Sequence, residues 1–141
     1  RVLFRSALFG KSFSREQDNP INAALNYGYA ILLSAVNREI LSLGYITQLG
    51  LNHCNQFNPY NLGSDLMEPL RGFVDAVVIK LRPAEFDRNV KLALIELLSE
   101  DVKINDTVQT FSAAIRIYCK SVFDALCTQN ANQIRFIEYE L

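Results

Sequence analysis

The chain has 141 residues, 50% hydrophobic and 21% charged, with a formal net charge of −1. That length suits one domain with its own core, and the balanced charge excludes a chain that binds nucleic acid through overall charge alone. No apolar run is long enough to span a bilayer, no secretory signal is expected, and a single histidine (His53) excludes HExxH sites.

Helical periodicity dominates in chain order. The opening Arg1-Val2-Leu3-Phe4-Arg5 lacks an initiator Met and already places Arg1 and Arg5 one turn apart, so it reads as a helix entered partway, stopped by Gly10. Arg1, Arg5, Lys11 and Arg15 make residues 1–15 basic with no acidic side chain, a pattern that fits either solvated surface or phosphate contacts. Asn19-Pro20 signals a new start, Asn as cap and Pro at the first helical position. Leu25, Tyr29, Leu32, Val36, Ile40 and Leu43 then keep one face apolar as far as Gly44.

Residues 45–61 are rich in Asn, Gln and Gly and read as loop. A third helix follows Gly63-Ser64, with Ser64 as cap, and runs to Leu81 before Arg82-Pro83. A fourth spans about 83–98 with a weak point at Asn89, and a second basic stretch, Lys80, Arg82, Arg88 and Lys91, runs across its start, diluted by Glu85 and Asp87. The fifth starts after Asn105-Asp106 and reaches Cys127, with Val108, Phe111, Ile115, Tyr118, Val122 and Leu126 inward. The tail from Ile134 to Leu141 reads as a short strand or a docked extension. The expected fold is therefore all-α, one helical domain of about five helices. Cys54, Cys119 and Cys127 form no CxxC pair, which points to reduced thiols in a cytoplasm-like compartment and away from structural zinc.

Chemistry gathers on the third helix. At 100° per residue, Leu66, Leu70, Phe73, Val74, Val77 and Leu81 share one face, and Asp65, Glu68, Arg71, Gly72 and Asp75 the other. Asp65 and Glu68 project from neighbouring turns, which helps if a cation sits between them and costs energy otherwise. The plain alternative is the wet face of an amphipathic helix, with Arg71 neutralising Glu68. Pro69, inside the helix beside this pair, breaks a local rule and favours a functional site. For His53 the plain alternative is a hydrogen-bonded loop residue, and for Asn22, Asn26 and Asn37 it is polar packing. Adjacent Cys54 does not make a nucleophile pair, because sequence neighbours seldom face one another.

Three blocks together resemble a known family. They are Asn19-Pro20-Ile21-Asn22-Ala23-Ala24-Leu25-Asn26-Tyr27-Gly28-Tyr29-Ala30-Ile31-Leu32; Gly44-Tyr45 with Gly50-Leu51-Asn52-His53; and Ser64-Asp65-Leu66-Met67-Glu68-Pro69-Leu70-Arg71 with Val74-Asp75. In order and spacing they resemble the catalytic domain of the CRISPR adaptation integrase, CRISPR-associated protein one, in wording closest to type II systems. The resemblance implies a C-terminal helical catalytic domain over residues 1–141, belonging to a metal-dependent DNA endonuclease and integrase. Such an enzyme inserts protospacer DNA at the leader-repeat by 3′-hydroxyl attack on a phosphodiester. It implies His53 and Glu68 as metal ligands for Mg²⁺ or Mn²⁺, Asp65 as an auxiliary acidic residue, and Arg71 as a phosphate contact. It also implies a homodimer, CRISPR-associated protein two as partner, no membrane association, and a bacterial cytoplasmic setting.

One departure accompanies the match. The family's first metal ligand is a glutamate on the helix preceding the central one, and no Glu lies between Arg1 and Arg15, while Glu16 falls in the loop. The family's β-rich N-terminal domain has no counterpart here either, so these residues alone are expected to fold but to be close to inactive. Arg1, Arg5 and Arg15 then read as a DNA-facing edge. The alternatives to an integrase are a non-enzymatic helical interaction domain of a larger protein and, after it, a different acidic-site metal hydrolase.

Overall fold

The computed structural model describes residues 19–53 and 55–138; the helix expected over residues 1–9 and the basic side chains there lie outside them. Helix α1 (Pro20–Ser42) begins where the cap signal places it: Asn19 accepts from the Asn22 amide at 2.9 Å, with Pro20 in the first turn. It ends at Gly44, whose φ of 84° is the left-handed conformation that glycine adopts freely.

The acidic segment folds as an interrupted helix. Helix α2 (Asn61–Met67) starts upstream of Ser64, passes through a 3₁₀ turn (Glu68–Leu70), and continues as α3 (Arg71–Leu81). Pro69 explains the interruption, since it lacks the N–H that a regular α-turn needs. Arg82, at φ 40°, closes α3 in the left-handed region just before Pro83. Helix α4 (Arg88–Glu96) starts later than its apolar pattern suggests, because Asp87 caps it by accepting from the Val90 amide at 2.9 Å.

A small sheet sits where the fifth helix was expected to begin. Strands β1 (Asp101–Ile104) and β2 (Thr107–Thr110) form an antiparallel hairpin, and Ile104 pairs with Thr107. Asn105 and Asp106, at φ 52° and 59°, are the two turn residues. Two positive φ values in a two-residue loop are what a tight hairpin turn demands, and Asn and Asp tolerate them best. Helix α5 (Phe111–Thr128) therefore starts at Phe111, capped by Thr110, and Val108 is exposed rather than inward. Leu126 is also exposed. The tail supplies strand β3 (Ile137–Glu138), which pairs with β1 to give the order β2-β1-β3.

The fold remains mostly helical, and α1 packs against each of the other four helices. Leu25, Leu32, Val36 and Ile40 of α1 are fully buried with Leu66, Val74, Leu94, Phe111 and Ile115. Each such side chain contributes roughly 1.5–3 kcal/mol by leaving water. Gly28 lets α1 and α3 approach closely, because a Cβ there would collide with the Val74 side chain. That crossing fixes α3, and with it the acidic turn, against the central helix. No helix among the described residues is long and apolar enough to cross a membrane.

Candidate metal centre

The loop between α1 and α2 is tied down before any functional side chain enters. Thr47 donates its hydroxyl to the Pro59 carbonyl at 2.7 Å and accepts the Leu62 amide on its own carbonyl at 2.9 Å. The Asn61 side chain donates to the carbonyls of Gln48 and Asn55, at 3.0 and 2.8 Å. These bonds draw residues 50–53 over α2. Gly50 permits it: a Cβ there would lie 2.9 Å from Asp65 Oδ2 and collide with the His53 carbonyl.

Asp65 organises this loop. Its Oδ2 accepts from the amides of Leu51 and Asn52 at 2.6 and 2.8 Å, and the His53 amide lies 3.2 Å away. Its Oδ1 meets His53 Nδ1 at 2.5 Å. Burial pushes the Asp65 carboxyl up, but the Asn52 amide, the His53 ring, and the amides of His53 and Leu51 outweigh it. The net shift is downward, so Asp65 is ionised near neutrality. In the neutral imidazole, an ionised acceptor at Nδ1 favours the proton on that nitrogen and would turn the Nε2 lone pair to a ligand. A metal-ligating histidine needs that tautomer and that type of orienting partner.

Glu68 stands across a cleft of about 470 Å³ lined by Leu51, Asn52, His53, Asp65 and Glu68. His53, Asp65 and Glu68 thus line one concave surface. Asp65 spends its oxygens on the loop, which leaves one imidazole and one carboxylate as donors. No group of three or more His, Cys, Asp or Glu is placed to hold a metal among the described residues. This mixed pair fits a hard dication with several open positions, and the imidazole suits Mn²⁺ better than Mg²⁺.

Arg71 reaches back to Glu68, Nη2 to Oε1 at 3.0 Å, with its guanidinium 4.9 Å over the Tyr29 ring. The wet-face assignment fails for Asp75, which is buried and accepts a hydrogen bond from the Tyr29 hydroxyl. Sequence reasoning placed Tyr29 in the core and missed this link; the available signal was Asp75, one turn beyond Arg71 in line with Glu68. Arg1, Arg5, Arg15 and Cys54 lie outside the described residues. Cys119 is buried, its thiol pushed up to about 12 by burial and then by Glu39, which makes it no nucleophile at neutral pH.

The chain is similar to several known proteins. The family model described as "CRISPR associated protein Cas1" matches residues 3–89. A "CRISPR-associated endonuclease Cas1" from Neisseria meningitidis serogroup C (strain 8013) is 38% identical, over 97% of this chain and 47% of its own length. A "CRISPR-associated endonuclease Cas1 2" from Pyrobaculum aerophilum is 34% identical, over 81% of this chain and 40% of its own. The solved structure "Casposase bound to integration product" aligns with a TM-score of 0.72 at 25% identity, covering 92% of this chain and 45% of that one. The chain spans about half the length of the curated relatives it matches. By family match and by near-complete coverage at this identity, the chain belongs to the CRISPR-associated protein Cas1 family.

Proposed function

We propose that residues 1–141 are the helical catalytic domain of a metal-dependent DNA endonuclease and integrase that inserts protospacer DNA at the leader-repeat of a CRISPR array. The observation that supports this most is the Asp65–His53 pair facing Glu68 in one cleft. His53 Nε2 and the Glu68 carboxylate would hold Mg²⁺ or Mn²⁺, and Asp65 would act through His53. When bound, the ion would stabilise negative charge developing on the attacked phosphodiester. In that reaction a DNA 3′-oxygen forms a new bond to phosphorus, the target P–O bond breaks, and the departing strand takes the proton lost by the 3′-hydroxyl.

The chain's own residues supply the setting. Asp65 would keep the imidazole in its donor tautomer, and Arg71, paired with Glu68, is the candidate phosphate contact among the described residues. Arg1, Arg5 and Arg15 are proposed as further DNA contacts. A homodimer and CRISPR-associated protein two are the proposed assembly partners. The test is strand transfer and cleavage of branched DNA by the intact protein with Mn²⁺. Glu68→Gln and His53→Ala should each abolish both reactions while the protein stays folded. Retained strand transfer in either variant would overturn the proposal.

A further inference from the structure

Glu68, Arg71 and Asp75 are spaced three and four residues apart, which aligns them on one stripe across the 3₁₀ turn and α3. Tyr29 of α1 joins the stripe from the core. Its hydroxyl donates to Asp75 Oδ1, and its ring carries the Arg71 guanidinium, whose Nη2 in turn lies 3.0 Å from Glu68 Oε1. Tyr29 and Asp75 are 7% and 6% exposed, so neither can touch a ligand in the cleft directly.

We propose that Tyr29 and Asp75 are positioning residues that act through Arg71 to hold the Glu68 carboxylate in place for the metal. This rests on the metal-centre reading above. A buried carboxylate that accepts the phenol proton fixes the ring and enriches its face, and an electron-rich face attracts a guanidinium more strongly. Arg71, held on that platform, fixes the carboxylate of Glu68 through Oε1. Ligating carboxylates are generally oriented by such hydrogen-bonded partners, and losing one weakens metal binding about 10–100-fold. The competing account makes Arg71 only a counter-ion to Glu68, which a dication must displace. The two accounts differ in sign: positioning predicts that removing Arg71 weakens binding, and competition predicts that it tightens binding.

The experiment is Mn²⁺ titration of the protein, read by the electron paramagnetic resonance of free Mn²⁺, with thermal melts recorded without metal. Arg71→Met should weaken Mn²⁺ binding about tenfold. Tyr29→Phe, which keeps the ring but loses the tether, should weaken it about fivefold and have no further effect in the Arg71→Met background. Asp75→Asn, which replaces the carboxylate acceptor of Tyr29 by a neutral one, should weaken Mn²⁺ binding about twofold to fivefold and have no further effect in the Arg71→Met background, and it carries the test if Tyr29→Phe does not fold. A merely structural Tyr29 would instead lower the melting temperature, and its effect on Mn²⁺ would add to that of Arg71→Met. Additive effects, or unchanged or tighter binding by Arg71→Met, would overturn the positioning role while leaving the metal centre standing. Absence of Mn²⁺ binding by the wild type would remove the metal centre and the positioning role together.

Discussion

His53 Nδ1 lies 2.5 Å from Asp65 Oδ1, and the same carboxylate gathers the amides of Leu51, Asn52 and His53. One side chain on α2 thus holds both the course of the loop and the ring of its histidine. In the proposed centre, Asp65 would position His53, and His53 and Glu68 would supply the metal donors.

Asp65→Ala should therefore damage the site more than the fold. Its hydrogen bonds to neutral loop amides lie at the edge of the domain, so the stability cost should be about 1–3 kcal/mol. Metal affinity should fall about 10–100-fold, because the imidazole loses its orienting partner. Urea unfolding and Mn²⁺ titration of the same variant check both numbers, and a variant that unfolds without changed affinity per folded molecule would contradict the role.

The depressed Asp65 carboxyl also has a pH signature. A group whose folded pKa lies below its ordinary value, 3.8 here, contributes stability that is fully present above that value. The contribution is lost as pH falls through the folded pKa. The stability gap between wild type and Asp65→Asn should thus be constant from neutrality down to mildly acid pH and narrow below about pH 4. Urea midpoints across that range measure it, and a gap that widened in acid would reverse the assignment.

Glu68 and Leu70 separate function from packing within one 3₁₀ turn. Leu70 is 2% exposed, so Leu70→Ala should cost roughly 2–5 kcal/mol by opening a cavity. Glu68→Gln should leave the melting temperature nearly unchanged and eliminate strand transfer. If both variants lost activity only in proportion to lost stability, Glu68 would be structural.

For DNA, the basic residues ahead of α1 carry a separate prediction. Changing Arg1, Arg5 and Arg15 to Glu in the intact protein should weaken DNA binding and flatten its salt dependence. Counterion release gives a slope of about −0.9 per phosphate contact, so three lost contacts would be plain in a binding isotherm series. An unchanged slope would make these residues ordinary solvated surface.

Much of this fold was legible because its signals are local. Asn19-Pro20 and Gly44 mark both ends of α1, since capping and positive φ depend on a few adjacent residues. The hairpin was not legible: Asn105-Asp106 serves equally as a helix cap or a tight turn, and only the pairing of Thr107–Thr110 with β1 decides between them. Periodicity placed Asp65 and Glu68 together but set Asp75 on the wet face, because helical phase cannot show that Tyr29 of another helix buries it. The metal-ligand candidates followed from the family resemblance. The contacts of Asp65 with residues 51–53 depend on a loop fold that no spacing rule supplies.

The most direct measurement of the central claim uses the fact that the chain has a single histidine. With Mn²⁺ bound, pulsed electron paramagnetic resonance of this chain should show ¹⁴N modulation from one imidazole. The modulation should vanish in His53→Ala, and the amount of bound Mn²⁺ should collapse in Glu68→Gln. Mn²⁺ bound at wild-type affinity without ¹⁴N modulation, or modulation that survives in His53→Ala, would contradict a centre built from His53 and Glu68.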